Sequence, residues 1–122
     1  MSNELDIFGE FLMKHFRDNA IHTVEALIAG KMKAPSLQSL QAAFGAMSDA
    51  DQGILKKTCI ESFDAGLHDF LFALQEASDN NQNIKVLVNG RNVAELSDGL
   101  QGELFTEDGW LAKYSAHGGT DA

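Results

Sequence analysis

Two stretches of the sequence place a histidine beside two carboxylates at helical spacing. The members of each set are three or four positions apart: Asp18, His22 and Glu25 in the first, and Glu61, Asp64 and His68 in the second. On an α-helix, side chains at this spacing project from the same side. Two facing helices bearing such sets could hold a metal pair, as carboxylate-bridged bundles do. The alternative is an exposed acidic surface with boundary histidines, which the absence of the Glu-x-x-His spacing of those bundles favours.

The adjacent pair His68-Asp69 resembles the His-Asp pair of helical metal phosphohydrolases. That resemblance implies metal-dependent hydrolysis, which in those enzymes requires further His and Asp ligands over a longer helical domain. The enzymatic alternative is therefore a small metal-dependent hydrolase, with the predicted ligands His22, Glu25, Glu61, Asp64 and His68.

Residues that could serve as nucleophiles lack the surroundings that would activate them. Cys59 falls on the apolar stripe of a predicted helix, where a thiol is usually inert packing. Ser97 and Ser115 have no base nearby in the sequence, and no Gly-x-Ser-x-Gly, His-Glu-x-x-His or phosphate-loop pattern occurs. We therefore expect a non-enzymatic protein that uses no cofactor.

The most unusual segment is acidic and lies in the C-terminal half. No Lys or Arg occurs between Arg91 and Lys113. Carboxylates around apolar anchors suit docking onto a basic protein, with Trp110 as a potential energetic anchor. The predicted partner-binding residues are Glu95, Asp98, Glu103, Glu107, Asp108 and Trp110. The alternative is that Trp110 and its apolar neighbours Leu100, Leu104 and Phe105 cover the core. The spacing of the acidic residues does not match a calcium loop.

The stretch 48–77 is the longest predicted element, and it would support the others. Ser48 is a good N-cap, and apolar or small residues then recur every three or four positions. Gly66 interrupts this stripe, so we expect either a kink there or the close approach of another backbone.

Three shorter helices are predicted before it. Asn3 can cap a helix from Glu4 to about Arg17, and Asp18 can cap a second that ends at Gly30. A single continuous helix through positions 17 and 18 is the alternative. A third, short amphipathic helix follows Pro35 and ends at Met47.

The pattern changes to strands after residue 83. We expect a strand Ile84–Val88, a turn at Asn89-Gly90 and a return strand Asn92–Leu96. The segment 97–105 could be a short helix or a loop, and the alternation in Trp110–Ser115 predicts a third strand. With Asn89-Gly90 as the loop, Val88 faces Arg91 and Val86 faces Val93, which places Ile84, Val86 and Val93 on the face toward the helices.

Composition supports a single α+β domain. With 122 residues, 44% hydrophobic residues and one proline, the chain can bury a core. The sequence predicts one globular domain over residues 1–116, with about four helices packed on a small antiparallel β-meander or hairpin. Residues 117–122 are predicted to be a flexible tail.

Net charge restricts the classes of partner. The formal charge of −9 is uneven, since residues 61–122 contain eleven acidic and three basic side chains. Such a chain has no basic footprint for nucleic acid or anionic membrane. No run of about 18 apolar residues is present, the N-terminus lacks a basic signal region, and a lone cysteine fits a reducing compartment. We therefore expect a cytoplasmic protein.

The leading functional hypothesis is an acidic interaction protein, of the adaptor or inhibitor kind, that docks a basic protein partner through residues 95–110. Size and charge give the chain the general character of small bacterial immunity proteins that neutralise basic toxins, although no motif is shared. The sequence leaves open whether the phenylalanines of the first helix are buried within the chain or in a homodimer.

Overall fold

The computed structural model describes residues 3–117, and its first 25 described positions after Asn3 form one uninterrupted helical run. This run consists of α1 (Glu4–Leu12), a π-helical turn (Met13–Arg17) and α2 (Asp18–Ile28). Asn3 caps α1 as predicted, because its side chain accepts a hydrogen bond from the amide of Asp6 at 2.9 Å. Of the two alternatives at positions 17 and 18, the continuous run is correct, because Asp18 has helical backbone angles and its carboxylate accepts from Ser115 and Ala116 instead of capping a helix.

The π-helical turn carries two fully buried side chains. They are Met13 and Arg17, which lie one turn apart on the same side of the run. A π-turn inserts an extra residue per turn, which rotates the following helix relative to the preceding one. Gly30, with φ +71°, then ends α2 as predicted, and the amide of Lys31 donates to the carbonyl of Ala26 at 2.9 Å in a Schellman-type closure.

Two further helices follow a short 3₁₀ turn at Pro35–Leu37. They are α3 (Gln38–Gly45) and α4 (Asp49–Asp79). The hydroxyl of Ser48 caps α4 by accepting from the amide of Asp51 at 3.1 Å, as predicted. α4 is not broken at Gly66, and the expected close approach of another backbone is wrong, because no described atom outside the helix's own backbone lies within 4 Å of where the Cβ of Gly66 would be.

The β structure is smaller than predicted. Strands β1 (Leu87–Val88) and β2 (Arg91–Asn92) form a two-stranded antiparallel hairpin around Asn89-Gly90, both at positive φ. The predicted register is confirmed, since Val88 pairs with Arg91 and the amide of Val93 donates to the carbonyl of Val86 at 3.0 Å. The return strand does not extend to Leu96, because Val93–Leu96 is a 3₁₀ helix. Ile84 is 64% exposed and does not face the helices.

The predicted third strand is a helix. The last element is α5 (Trp110–Tyr114), and the amides of Lys113 and Ser115 donate to carbonyls four positions earlier. A second 3₁₀ helix, Leu100–Glu103, occupies the segment 97–105 that the sequence left open. Within residues 3–117 the β structure is therefore a two-stranded hairpin and not a meander, and the predicted α+β class with about four helices is confirmed.

One core joins α1, the C-terminal half of α4 and the segments that follow it. Phe8 packs edge-on against Trp110, with ring centroids 5.9 Å apart and planes at 88°. The apolar members of this core are Leu5, Phe8, Met13, Leu67, Leu71, Leu74, Val93, Ala94, Leu100, Leu104, Trp110 and Leu111. Residues 93–111 thus cover the apolar faces of α1 and of the C-terminal half of α4.

The middle of the chain contributes little to this core. Between residues 25 and 59 the only buried side chain among the described residues is Gln41. Its amide bonds the backbone of Met32 twice, accepting from the nitrogen at 2.9 Å and donating to the oxygen at 2.8 Å. α3 and the first turns of α4 therefore form an arm, residues 31–58, held by polar contacts more than by apolar burial.

Among the described residues, none of the helices combines the length and apolar character that crossing a lipid bilayer requires.

Candidate functional site

A buried arginine links the π-helical turn to two other parts of the chain. Arg17 is fully buried and grips Asp64 of α4 with two bonds, Nε to Oδ1 at 2.7 Å and Nη2 to Oδ2 at 3.2 Å. Its Nη1 donates to the hydroxyl of Ser115 at 2.8 Å and to the carbonyl of His117 at 2.6 Å. Such a planar fork matches a carboxylate geometrically, which makes the pair directional.

Asp18 completes this network from the next position in the chain. Its carboxylate accepts from the hydroxyl of Ser115 at 2.6 Å and from the amide of Ala116 at 2.9 Å. The amide of His117 in turn donates to Ser115 Oγ at 3.1 Å. The segment 115–117 is therefore fixed to the helical run through its backbone and Ser115, while the imidazole of His117 takes no part in these bonds.

A groove of about 590 Å³ lies between α4 and residues 105–112. Phe105 projects into it and is 54% exposed, and its ring stacks on that of His68 with centroids 6.3 Å apart and planes at 27°. Leu111, Ala65 and Ala112 supply more apolar surface. The groove is thus an apolar depression with one exposed aromatic side chain.

Carboxylates surround this groove. Glu61, Asp69 and Glu107 are exposed, and Asp64 lies at the groove with its charge paired to Arg17. Within the described part of the chain, the residues that line the groove include no Lys or Arg. Over residues 3–117, the lining of the groove therefore has three exposed carboxylates and no Lys or Arg, an excess of acidic groups that favours a cationic partner.

The predicted partner-binding residues do not line one depression. Glu107 lines the groove, whereas Glu95 lines separate depressions beside Lys85 and Asn92. Glu103 accepts a hydrogen bond from the hydroxyl of Ser97 at 2.6 Å. The remaining two, Asp98 and Asp108, are exposed and do not line the groove.

The expectation that Trp110 is a docking anchor is wrong. Its side chain is 1% exposed and packs between Phe8 and Gly9 of α1. Leu100 and Leu104 are also buried, so the alternative interpretation of these residues as core cover is correct. Phe105 is the exception, because it is the one of the four that lies largely in solvent.

The five residues of the predicted metal site do not come together. Asp64 is bound to Arg17, and His68 stacks on Phe105 and contacts Asp69, with Nδ1 3.2 Å from Oδ1. Among the described residues, the one group with metal-binding geometry contains His22 and Glu25 with a third residue, His117. The two helical sets therefore have different neighbours, and the structure does not bring the five predicted ligands to one point.

His117 was missed because the sequence predicts a flexible tail from that position. In the structure His117 is half-buried and its ring lies edge-on to that of His22, with centroids 5.2 Å apart. No local sequence signal places it there, since its position depends on Arg17 and Asp18, about a hundred residues away. The rest of the predicted tail, 118–122, lies outside the described residues.

Glu25 is held in its charged form. The hydrogen bond from Lys56, with Nζ 2.8 Å from Oε2, lowers the pKa of Glu25 below its usual value, and partial burial opposes this effect. The neighbouring His117 and His22 lower the pKa of Glu25 further. A carboxylate that stays ionised at neutral pH beside two imidazoles can ligate a cation without first losing a proton.

The chain matches no protein-family model, and neither curated proteins nor solved structures gave a significant match.

Proposed function

We propose that the protein is a non-enzymatic interaction protein that docks a basic segment of a partner protein in the groove between α4 and residues 105–112. The segment would insert an apolar side chain against Phe105 and place Lys or Arg beside Glu61, Asp69 and Glu107. This retains the acidic-surface hypothesis and moves its centre from residues 95–110 to the groove.

The observation that carries the proposal is the exposed Phe105 within a ring of carboxylates. Aromatic side chains in desolvated pockets are frequent anchors of protein interfaces, and surrounding charges steer the partner. Small-molecule sites usually contain convergent polar groups. Here Asp64, the most buried polar group of the lining, is already bound to Arg17. The chemistry of the groove therefore favours a basic, apolar-tipped peptide over a small ligand.

Selection from a displayed library of random peptides tests the proposal directly. We expect peptides enriched on the wild-type protein to contain an aromatic or aliphatic residue flanked by Lys or Arg. Phe105→Ala should weaken their binding at least tenfold, about 1.4 kcal/mol. The double reversal Glu61→Lys with Glu107→Lys should abolish binding at low salt, because it replaces attraction by repulsion at the groove.

Matched controls lie outside the groove. Ile84→Ala removes an exposed apolar side chain, and Glu95→Lys with Asp98→Lys changes the net charge by the same amount as the groove reversal. Both should bind as the wild type does. Enriched peptides without basic residues, equal losses in the control variants, or a dimer in sedimentation that Phe105→Ala dissociates would each contradict the proposal. The last result would assign the groove to a second copy of the chain.

A further inference from the structure

We propose that His22, Glu25 and His117 bind one divalent transition-metal ion, with Zn²⁺ the best match. The site is independent of the docking groove, because none of its residues lines that groove. The sequence predicted no cofactor, and the position of His117 is what changes that expectation.

The three side chains already lie near coordination distance of a common point. Their ligand atoms are all within 4.8 Å of one another. In tetrahedral coordination, ligands bound to Zn²⁺ at about 2.0–2.2 Å are separated by about 3.3–3.6 Å, so side-chain rotations that bring the ligand atoms closer by up to about 1.5 Å complete the site. His22 and Glu25 are one helical turn apart on α2, which places both on the side that His117 faces.

The types of ligand select the class of metal. Two imidazoles and one carboxylate are typical of zinc sites and of other first-row transition metals, whereas Ca²⁺ and Mg²⁺ prefer oxygen ligands. Three protein ligands leave at least one coordination position for water. Lys56 holds Oε2 of Glu25, and Oε1 remains on the same carboxylate for the ion.

The backbone around His117 is positioned before any metal arrives. Arg17 bonds the carbonyl of His117, Ser115 accepts from its amide, and Asp18 holds Ala116. These bonds use main-chain atoms of His117. Its imidazole therefore faces α2 and is not used in this hydrogen-bond network. The metal would thus close a second link, made by side chains, between α2 and the segment 115–117.

Equilibrium dialysis of tag-free protein against ZnCl₂ tests the site. We expect one equivalent of Zn²⁺ to bind, and His22→Ala, Glu25→Gln and His117→Ala each to reduce the affinity at least tenfold. His15→Ala is the matched control, because His15 is exposed on the π-helical turn and contacts Phe11 instead. MgCl₂ at the same concentration should not compete.

X-ray absorption on the loaded protein identifies the ligands independently of affinity. We expect nitrogen and oxygen neighbours at about 2.0–2.1 Å with the signature of two imidazoles. A sulfur neighbour at about 2.3 Å would instead indicate Cys59 and overturn the proposal. Binding well below one equivalent, or binding that His22→Ala and His117→Ala leave unchanged while circular dichroism shows them folded, would also overturn it.

Discussion

Arg17 makes hydrogen bonds to three residues that lie 47 to 100 positions away in the chain. A buried guanidinium is costly to desolvate, and its cost is offset only when its donors are satisfied with good geometry. The guanidinium of Arg17 donates to Asp64, to Ser115 and to the carbonyl of His117, which meets this requirement. The same contacts fix the edge of the groove through Asp64 and the proposed metal ligand His117. One side chain therefore positions parts of both sites.

Replacing Arg17 by Met should destabilise the protein severely. The substitution leaves Asp64 buried without its cation, which typically costs about 3–5 kcal/mol. Urea unfolding followed by circular dichroism measures the loss. Lys14→Met is the matched control, because the pair of Lys14 with Glu10 is exposed and within one helix, and it should unfold at nearly the wild-type urea concentration. Equal midpoints for Arg17→Met and wild type would mean that the network contributes nothing.

At the residue scale, sequence reasoning found two of the three residues of the candidate metal site. His22 and Glu25 were identified by their spacing, because helical periodicity decides which local side chains share a face. His117 and the neutralisation of Asp64 by Arg17 were not identified, because both depend on contacts between residues far apart in the chain. Spacing alone also put Glu61 and His68 with His22, although the structure gives them different neighbours.

At the scale of elements, capping signals were more informative than short alternations. Ser48 and Asn3 cap their helices as predicted, because an N-cap is a local interaction between a side chain and the next turn. The pattern of Trp110–Ser115 fits both periods, since Trp110, Leu111 and Tyr114 also share one side of a helix. Packing of Trp110 against α1 decides between the two, and five residues carry too little periodicity to anticipate it.

The contact between α1 and α5 depends on Gly9. A Cβ at this position would overlap the indole ring of Trp110. We therefore expect Gly9→Ala to destabilise the protein by about 1–3 kcal/mol through overpacking, despite the better helix propensity of alanine. Thermal unfolding measures the change.

Gly66→Ala is the matched control for this prediction. Gly66 lies in the interior of α4, and no atom is within 4 Å of where its Cβ would be. Alanine there should stabilise the protein by about 0.5–1 kcal/mol. If both substitutions raise the melting temperature, the close packing of Trp110 on α1 is not what determines the response at Gly9.

At the scale of the whole molecule, stability is unevenly distributed. The core joins α1, the C-terminal half of α4 and residues 93–111, whereas the arm, residues 31–58, has Gln41 as its only buried side chain. Regions with few buried apolar contacts open locally at lower free energy than the core. The sequence predicted a helix at α3 correctly, but its amphipathic pattern gave no indication that Leu40 and Met47 remain 42% and 37% exposed.

Hydrogen exchange with mass spectrometry should resolve this difference. We expect amides of α3 and the first turns of α4 to exchange much faster than those of residues 67–75, which carry Leu67, Leu71 and Leu74 of the core. Low urea concentrations should leave exchange in the arm unchanged, because local opening exposes little additional surface. Uniform protection along the whole of α4 would contradict this picture.

The hydrogen bonds that join Arg17 to Ser115 and His117 have a consequence for folding during translation. Arg17 and Ser115 are separated by 98 positions, so at about 5–20 residues per second the ribosome adds the hydroxyl roughly 5–20 seconds after the guanidinium. During that delay the nascent helices can form, but the C-terminal segments that cover them are not yet synthesised. The side of α1 that packs against Trp110 therefore stays exposed to solvent. Slowly translated codons just before position 115 would lengthen this interval. Chaperones that bind nascent chains would find the most exposed apolar surface during it.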